Sequence, residues 1–159
     1  MAETPTILIV DDEPVVRGVA EALLRRLGYG VRVCVSGEEA VALLEGEPGG
    51  IDGVLLDLSM PGFWGRRTFA ALRGIRDDLP VLVTSGIPAN AQTEPILTEP
   101  KVGFVPKPYS LTELAEATVC IIGGRLGAHG VECDSPFVAD TLLIVQKICE
   151  LHPAMPARL

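Results

Sequence analysis

The sequence predicts an α/β protein built on a doubly wound, five-stranded parallel sheet, with a short helical extension at its C-terminus. Short apolar runs alternate with helix-like patterns as far as about residue 119, which is typical of repeated strand–helix units. The runs are rich in Val, Ile and Leu, as expected for strands covered by helices on both faces. At 159 residues the chain is long enough for one such core and too short for two full domains.

Five apolar runs are predicted to form the strands of this sheet. Helix-like patterns occupy most of the segments between them, so consecutive strands are expected to run parallel. In chain order, the predicted strands are Thr6 to Val10, Val31 to Val35, Gly53 to Leu58, Val81 to Ser85 and Gly103 to Val105.

Local sequence signals mark three helix starts. Pro14 suits the first turn of the helix after the first strand, because the N–H that it lacks needs no partner there. Ser36 with Glu39, and Ser110 with Glu113, form S-x-x-E capping boxes. Helices are therefore predicted directly after the first, second and fifth strands.

The two remaining connections differ from each other. A helix is predicted from Phe63 to Arg73, after the third strand. Between Ala89 and Lys101, Pro95 and Pro100 each remove a backbone donor and clash with the preceding turn. The fourth helix is therefore expected to be short or broken.

The sequence changes character after residue 119. Glycines cluster between residues 123 and 130, so we expect the preceding helix to end there and a flexible joint to follow. Asp134, Ser135 and Pro136 then provide the start of one more helix, predicted from about Phe137 to Leu151. The predicted organisation is a sheet domain over residues 1–119, a Gly-rich linker over 120–136, and a C-terminal helix and tail over 137–159.

Composition argues against several classes of function. With 13 Lys and Arg against 21 Asp and Glu, the formal net charge is −8 and no basic stretch offers a surface for phosphates, so direct nucleic-acid binding is not expected. The chain has no basic hydrophobic leader and no apolar run of about 18 residues, which predicts a cytoplasmic protein without a membrane span. Its four cysteines lie far apart, as expected for core residues in a reducing compartment.

Polar residues stand where the predicted strands end. Asp11 and Asp12 follow the first strand, Asp57 and Thr84 lie near the ends of the third and fourth, and Lys107 follows the fifth. Because parallel strands bring their carboxyl ends to one edge, where ligands bind in open α/β sheets, these side chains are expected to meet. Three carboxylates without His or Cys make a hard oxygen site suited to Mg²⁺.

The predicted acidic site also contains a lysine, Lys107, and a hydroxyl group, that of Thr84. A divalent ion would relieve the repulsion among the carboxylates and leave one of them free as a nucleophile. A lysine opposite them fits a site that gains a phosphoryl group, since the added negative charge must be met. A neighbouring hydroxyl can donate to a phosphoryl oxygen. Together these residues predict the formation of an acyl phosphate on an aspartate.

Four sequence blocks surround the predicted site: Ile7–Pro14 (ILIVDDEP), Leu56–Gly62 (LDLSMPG), Val81–Gly86 (VLVTSG) and Phe104–Tyr109 (FVPKPY). In this order and at this spacing they resemble the response-regulator receiver domain, the CheY-like domain of two-component signal transduction systems. The resemblance covers roughly three quarters of the chain. It implies a flavodoxin-like sheet with the strand order 2-1-3-4-5.

The resemblance also implies a role for each acidic residue. Asp57 would be the phosphoacceptor, taking its phosphoryl group from the phosphohistidine of a sensor histidine kinase or a histidine phosphotransfer protein. Asp12, Asp57 and the backbone carbonyl of Ser59 would bind Mg²⁺ directly, and Asp11 would act through water.

The implied signalling step involves the other strand ends. Thr84 and Lys107 would hold the phosphoryl oxygens. Coupled inward movement of Thr84 and Phe104 would then shift the population toward a state that a downstream protein, as yet unknown, recognises. A homodimer is a further candidate assembly, although the broken fourth helix belongs to the face through which such domains often dimerise.

Several alternatives are open at this point. The chain could be a pseudo-receiver, an interaction module that is never phosphorylated, or a receiver cut from a hybrid histidine kinase. A magnesium-dependent phosphohydrolase ranks last, because those enzymes want a second carboxylate two residues after the first, where this chain has Ser59. No enzymatic activity beyond loss of its own phosphoryl group is expected. Taken singly, Asp11 and Asp12 could simply cap the helix that begins near Pro14.

Overall fold

Five strands and five helices alternate along the chain in the computed structural model, which describes residues 4–59, 64–86, 93–108 and 110–122. The predicted C-terminal helix and most of the predicted linker lie outside these ranges. Within them, no helix combines the length and the apolar character that crossing a membrane requires. The strands are β1 (Thr6–Val10), β2 (Gly30–Cys34), β3 (Gly53–Asp57), β4 (Val81–Ser85) and β5 (Val102–Pro106). The helices are α1 (Pro14–Arg26), α2 (Gly37–Gly46), α3 (Trp64–Ile75), α4 (Glu94–Leu97) and α5 (Leu111–Ile121).

The strands form one parallel sheet in the order β2-β1-β3-β4-β5. From β1 the chain adds β2 on one side of the sheet, and it then adds β3, β4 and β5 in turn on the other side. The strand order therefore reverses between β1 and β3. This confirms the predicted fold class and strand order. The reversal places a crevice at the carboxyl ends of β1 and β3, where ligands bind in open sheets of this kind.

Strand β2 begins and ends one residue earlier than predicted. The N–H of Gly30 donates to the carbonyl of Pro5 at 2.9 Å, which draws Gly30 into pairing with the start of β1. At the other end, the N–H of Val35 donates to the carboxylate of Glu39 at 3.0 Å, so Val35 belongs to the turn into α2. A local polar contact therefore overrides the apolar run Val31 to Val35.

The fourth helix is short, as the prolines predict. It comprises only Glu94–Leu97, with Pro95 in its first turn, and the Thr98 hydroxyl donates to the carbonyl of Pro95 at 2.9 Å. The other elements differ little from prediction: β3 stops at Asp57, β5 gains one residue at each end, and α3 continues to Ile75. The predicted first residue of α3, at position 63, lies outside the described residues.

Apolar side chains fill two clusters, one on each face of the sheet. Alternate residues of β1 enter different clusters: Ile7 and Ile9 pack with α1 and α5, whereas Leu8 and Val10 pack with α2, α3 and α4. Cys34 is buried in the second cluster as a free thiol, in agreement with a core role. The side chains of the other three cysteines lie outside the described part of the chain.

The end of α5 sits against two glycines of the sheet. A Cβ atom on Gly53 would lie 2.6 Å from the side chain of Ile122, and one on Gly103 would lie 2.6 Å from that of Ile121. Ile122 is buried, and its N–H donates to the carbonyl of Thr118 at 2.9 Å. The packed structure therefore extends past residue 119, the predicted boundary of the sheet domain, and closes the end of the sheet opposite the crevice.

Candidate functional site

Four strand ends bring polar side chains to one edge of the sheet. Asp11 follows β1, Asp57 ends β3, Thr84 lies next to the end of β4, and Lys107 follows β5. Asp57 and Thr84 are partners in the register of β3 with β4, and the N–H of Lys107 donates to the carbonyl of Ser85 at 2.8 Å. The shared direction of the strands thus carries these predicted site residues to a common edge.

Two acids and the lysine form a buried cluster of charges. Nζ of Lys107 lies 3.1 Å from Oδ2 of Asp57 and 3.1 Å from Oδ2 of Asp11. Asp57 is 1% exposed, Asp11 4%, and the side chain of Lys107 10%. Carboxylates so close together and so buried repel each other, and the shared ammonium group offsets that repulsion.

Burial and pairing act in opposite directions on these charges. Burial acts to lower the pKa of Lys107, but the attraction of Asp57 and Asp11 outweighs it, so the pKa is raised. For Asp11, burial raises the pKa, and the N–H of Glu13 and the charge of Lys107 offset only part of that effect. Lys107 therefore stays protonated and positively charged, whereas the raised pKa of Asp11 disfavours its ionised form.

Each carboxylate oxygen of Asp57 has its own hydrogen-bond donors. Oδ1 accepts from the N–H of Ser59 at 2.9 Å and from its hydroxyl at 2.6 Å, whereas Oδ2 accepts from Lys107 at 3.1 Å. The family resemblance implies a role for the backbone carbonyl of Ser59 and none for its hydroxyl. The signal for the hydroxyl contact is the spacing, because Ser and Asp side chains two residues apart often bond locally.

Asp11 also organises the start of α1. Its Oδ1 accepts from the N–H of Glu13 at 2.8 Å, and its carbonyl accepts from Nη1 of Arg17 at 2.9 Å. The N-cap residue of α1 is Glu13 and no side chain caps the helix, so Asp11 is not its cap: one of its oxygens binds the N–H of Glu13 just before the helix, and the other binds Lys107. The carboxylate of Glu13 lies 3.4 Å from Nζ of Lys107, a contact that the sequence does not predict. Its only signal is the position of Glu13 directly after two aspartates.

Asp12 completes a set of three carboxylates suited to a divalent cation. One oxygen from each of Asp11, Asp12 and Asp57 lies within 4.8 Å of the other two. Asp12 is exposed and the other two are buried, so the set is open to solvent on one side. Oxygen donors with room for waters are what Mg²⁺ requires, and the residues present fit the predicted cation.

The two predicted switch residues occupy different surroundings. Thr84 is buried, and its carbonyl accepts from the N–H of Leu58 at 2.8 Å, which ties the loop after β3 to β4. Phe104, opposite Val83 in the sheet register, is half-buried and packs against the cluster beneath α2, α3 and α4. Phe104 is thus a core aromatic, and its part in a switch stays a prediction.

The start of α3 lies directly against the loop that carries Ser59. A Cβ atom on Gly65 would lie 2.9 Å from Cδ2 of Leu58 and 3.0 Å from its backbone oxygen. Both distances are shorter than ordinary van der Waals contact, so a side chain here would push the helix and the loop apart. Gly65 therefore allows α3 to support the loop next to Asp57.

Comparison with known proteins identifies the family. Residues 7–119 match the model of the response regulator receiver domain, and the chain belongs to that family. It is 34% identical over 115 residues to the sensor kinase CckA of Brucella abortus, and 36% identical over 111 residues to the response regulator MprA of Mycolicibacterium vanbaalenii. The crystal structure of the receiver domain of the hybrid histidine kinase CckA matches with a TM-score of 0.59 and 39% identity, over 70% of this chain and 93% of that chain.

The matched region is only part of each curated relative. It covers 72% of this chain and 12% of the CckA kinase, and 68% of this chain and 46% of MprA. What the proteins share is therefore the receiver domain. Receiver domains are signalling domains of two-component systems and interact with histidine kinases or histidine phosphotransfer proteins.

Proposed function

We propose that this receiver accepts a phosphoryl group on Asp57 from the phosphohistidine of a sensor histidine kinase or a histidine phosphotransfer protein. The observation that carries the proposal is the buried ammonium group of Lys107, shared by Asp57 and Asp11. Burying such a cluster is costly, so its presence calls for a purpose beyond stability. A lysine beside a nucleophilic carboxylate meets the charge that a phosphoryl group brings.

In the proposed transfer, a carboxylate oxygen of Asp57 attacks the phosphorus of the phosphohistidine. The O–P bond forms as the P–N bond breaks, and the electron pair of the broken bond returns to the imidazole nitrogen. The product is an acyl phosphate on Asp57. Lys107 exchanges its contact with Asp57 for a phosphoryl oxygen, and the hydroxyl of Thr84 donates to another.

Mg²⁺ is the cofactor of this proposal. Asp12, Asp57 and the backbone carbonyl of Ser59 would hold it directly, and Asp11 would hold it through water. When bound, it supplies positive charge to the carboxylates and to the transferred group. The contribution of the chain is to gather three acids whose mutual repulsion favours a cation among them.

The proposed output is contact with another protein, controlled by phosphorylation. Movement of Thr84 and Phe104 toward the acyl phosphate would shift the population of conformations that a downstream protein, or a second copy of this chain, recognises. The acidic charge of the chain favours a protein partner over nucleic acid. The proposal includes a cytoplasmic location and no enzymatic activity beyond hydrolysis of the chain's own acyl phosphate.

A second candidate context is the receiver of a hybrid histidine kinase. The observation that favours it is the 39% identity to the receiver domain of the hybrid kinase CckA, together with the 34% identity to a sensor kinase. The chemistry proposed for Asp57 is the same in both contexts. They differ in whether the kinase belongs to the same polypeptide.

Phosphorylation by a small donor tests the proposal. Incubation with Mg²⁺ and acetyl phosphate should add one phosphoryl group to the intact mass, and Asp57→Asn should abolish the adduct. Asp77→Asn, at an exposed turn after α3, is the matched control and should retain it. No adduct under conditions that phosphorylate a known receiver would favour the pseudo-receiver. Rapid turnover of phosphate esters would instead favour the phosphohydrolase.

A further inference from the structure

Arg17 of α1 reaches back over the loop that joins β1 to this helix. Its Nη1 donates to the carbonyl oxygen of Asp11 at 2.9 Å, and its backbone N–H donates to the carbonyl of Glu13 at 2.9 Å. These two carbonyl groups belong to the residues directly before and after Asp12. Arg17 therefore holds the backbone on both sides of Asp12.

The side chain of Asp12 has no such support of its own. Within the described ranges, its carboxylate takes part in no hydrogen bond or ion pair, and the residue is exposed. The carboxylates of Asp11 and Asp57, by contrast, each accept from Lys107 and from a backbone N–H. The position of the Asp12 carboxylate therefore depends on the backbone that carries it.

We propose that Arg17 is a positioning residue for the Mg²⁺ site: it fixes the peptide group between Asp11 and Asp12, and so keeps the Asp12 carboxylate within the acidic set. A peptide group is planar, so a bond to the Asp11 carbonyl also fixes the direction in which the chain enters Asp12. A guanidinium group has no acceptor atom, so Arg17 cannot itself be a ligand of the cation. The inference rests on the proposed Mg²⁺ site and adds a residue outside the ligand set.

Removing the guanidinium group leaves the carbonyl of Asp11 without this partner. Asp11 is 4% exposed, and a buried acceptor that loses its donor is unfavourable. The peptide group regains a hydrogen bond if it turns its oxygen toward water, and this rotation moves the backbone of Asp12. The bond from the N–H of Asp11 to the carbonyl of Cys34, at 3.2 Å, lies before the Cα atom of Asp11 and does not prevent the rotation.

Positioning and simple electrostatics predict opposite effects of removing Arg17. The positive charge of Arg17 repels Mg²⁺, so the loss of that charge alone should tighten cation binding. The loss of positioning should weaken it. Residues that orient metal ligands directly change metal affinity about 10–100-fold, and Arg17 acts one step further away, through the backbone, so about three- to tenfold weaker binding is expected. The sign of the change therefore separates the two effects.

Calorimetric titration of the full-length proteins with MgCl₂ tests the inference, and thermal melts in EDTA report the metal-free stability of each protein. Arg17→Met and Arg17→Gln both remove the guanidinium group, so a folding defect in one of them does not decide the result. Each should bind Mg²⁺ about three- to tenfold more weakly than wild type. Arg26→Met removes an exposed positive charge from the far end of α1 and is the matched control, which should stay within about twofold of wild type. Asp12→Asn, which removes the carboxylate itself, should show the largest loss.

Two outcomes would overturn the inference while leaving the cation site established. One is equal or tighter Mg²⁺ binding in the Arg17 variants, and the other is a loss of the same size in Arg26→Met. If the wild type itself binds no Mg²⁺, the proposed cation site and this inference fail together. The two failures are therefore distinguishable in one set of titrations.

Discussion

Nζ of Lys107 lies 3.1 Å from Oδ2 of Asp57, which joins the loop after β5 to the end of β3 across 50 residues of sequence. Asp57 is 1% exposed, so its charge has little water around it. In the metal-free protein the ammonium group of Lys107 stabilises the buried carboxylate of Asp57, and the carboxylate stabilises the ammonium group. Both the stability of this edge and its proposed chemistry therefore rest on the pair.

Replacing Lys107 by Met should destabilise the metal-free protein by about 3–5 kcal/mol, because Asp57 and Asp11 would stay buried without their cation. Urea unfolding in EDTA measures the loss. Lys101→Met, at an exposed position before β5, is the control and should change stability by less than about 0.5 kcal/mol. Equal stability of the two variants would show that the buried pair is not needed for folding.

The raised pKa of Asp11 predicts that the ionised carboxylate lowers the stability of the folded protein by an amount that depends on pH. A carboxyl group whose pKa is higher in the folded than in the unfolded state binds more protons when the protein is folded. The stability that Asp11 contributes therefore falls as the pH rises above 3.8, the ordinary pKa of this side chain. Asp11→Asn does not titrate. Without metal, this variant should gain stability relative to wild type as the pH rises from about 4 to 7. Urea unfolding across that range checks this, and a constant difference would contradict it.

Mg²⁺ should raise the unfolding temperature of the wild type. A ligand that binds only the folded state adds about 1.4 kcal/mol at ten times its dissociation constant. Asp12→Asn removes the exposed member of the acidic set and should lose most of this shift, while its metal-free stability stays close to that of wild type. Thermal melts in MgCl₂, compared with NaCl of equal ionic strength, measure the effect. Identical melts of the wild type in both salts would argue against a cation site here.

Replacing either of two glycines in α3 by alanine should change the stability of the protein, with opposite signs at the two positions. Gly65→Ala brings a methyl group against Leu58 and should cost about 1–3 kcal/mol. Gly74→Ala, where a Cβ would meet nothing within 4 Å, should gain about 0.5–1 kcal/mol from helix propensity. Denaturant midpoints of both variants give the comparison. A shift of the same sign in both would mean that the close approach at Gly65 is not required.

Ile121 and Ile122 should be needed for the full stability of the sheet domain. A protein of residues 1–119 loses both side chains that cover Gly103 and Gly53. It should be less stable than a protein of residues 1–122 by about 3 kcal/mol or more, as expected for removing one buried and one partly buried isoleucine. Urea unfolding of the two proteins gives the difference. Equal stability would place the boundary at residue 119, as the sequence predicts.

The edge of the sheet at which the site residues meet can be predicted from the sequence, because only the positions of the strand ends are needed. Once the runs before Asp11, Asp57 and Lys107 are recognised as parallel strands, geometry brings their ends together. The short α4 follows from Pro95 in the same local way. The strand order follows only from the family resemblance, since the apolar runs do not distinguish the edge strands from the central ones.

Contacts that depend on side-chain placement could not be predicted. The hydroxyl of Ser59 on Asp57, and the carboxylate of Glu13 near Lys107, both require rotamers that only the folded site determines. The early end of β2 has the same origin, because the Glu39 carboxylate competes for the N–H of Val35. These are tertiary or local polar contacts that hydrophobic periodicity does not contain.

Chemical localisation of the phosphoryl group tests the central claim most directly. After treatment with acetyl phosphate and Mg²⁺, hydroxylamine converts an acyl phosphate into a hydroxamate, which peptide mass mapping assigns to one residue. The structure predicts a hydroxamate on Asp57, adjacent to Lys107, and none in protein that has not met the donor. A phosphoryl group that resists hydroxylamine, or a hydroxamate at Asp11 or Asp12 with Asp57 unmodified, would contradict it.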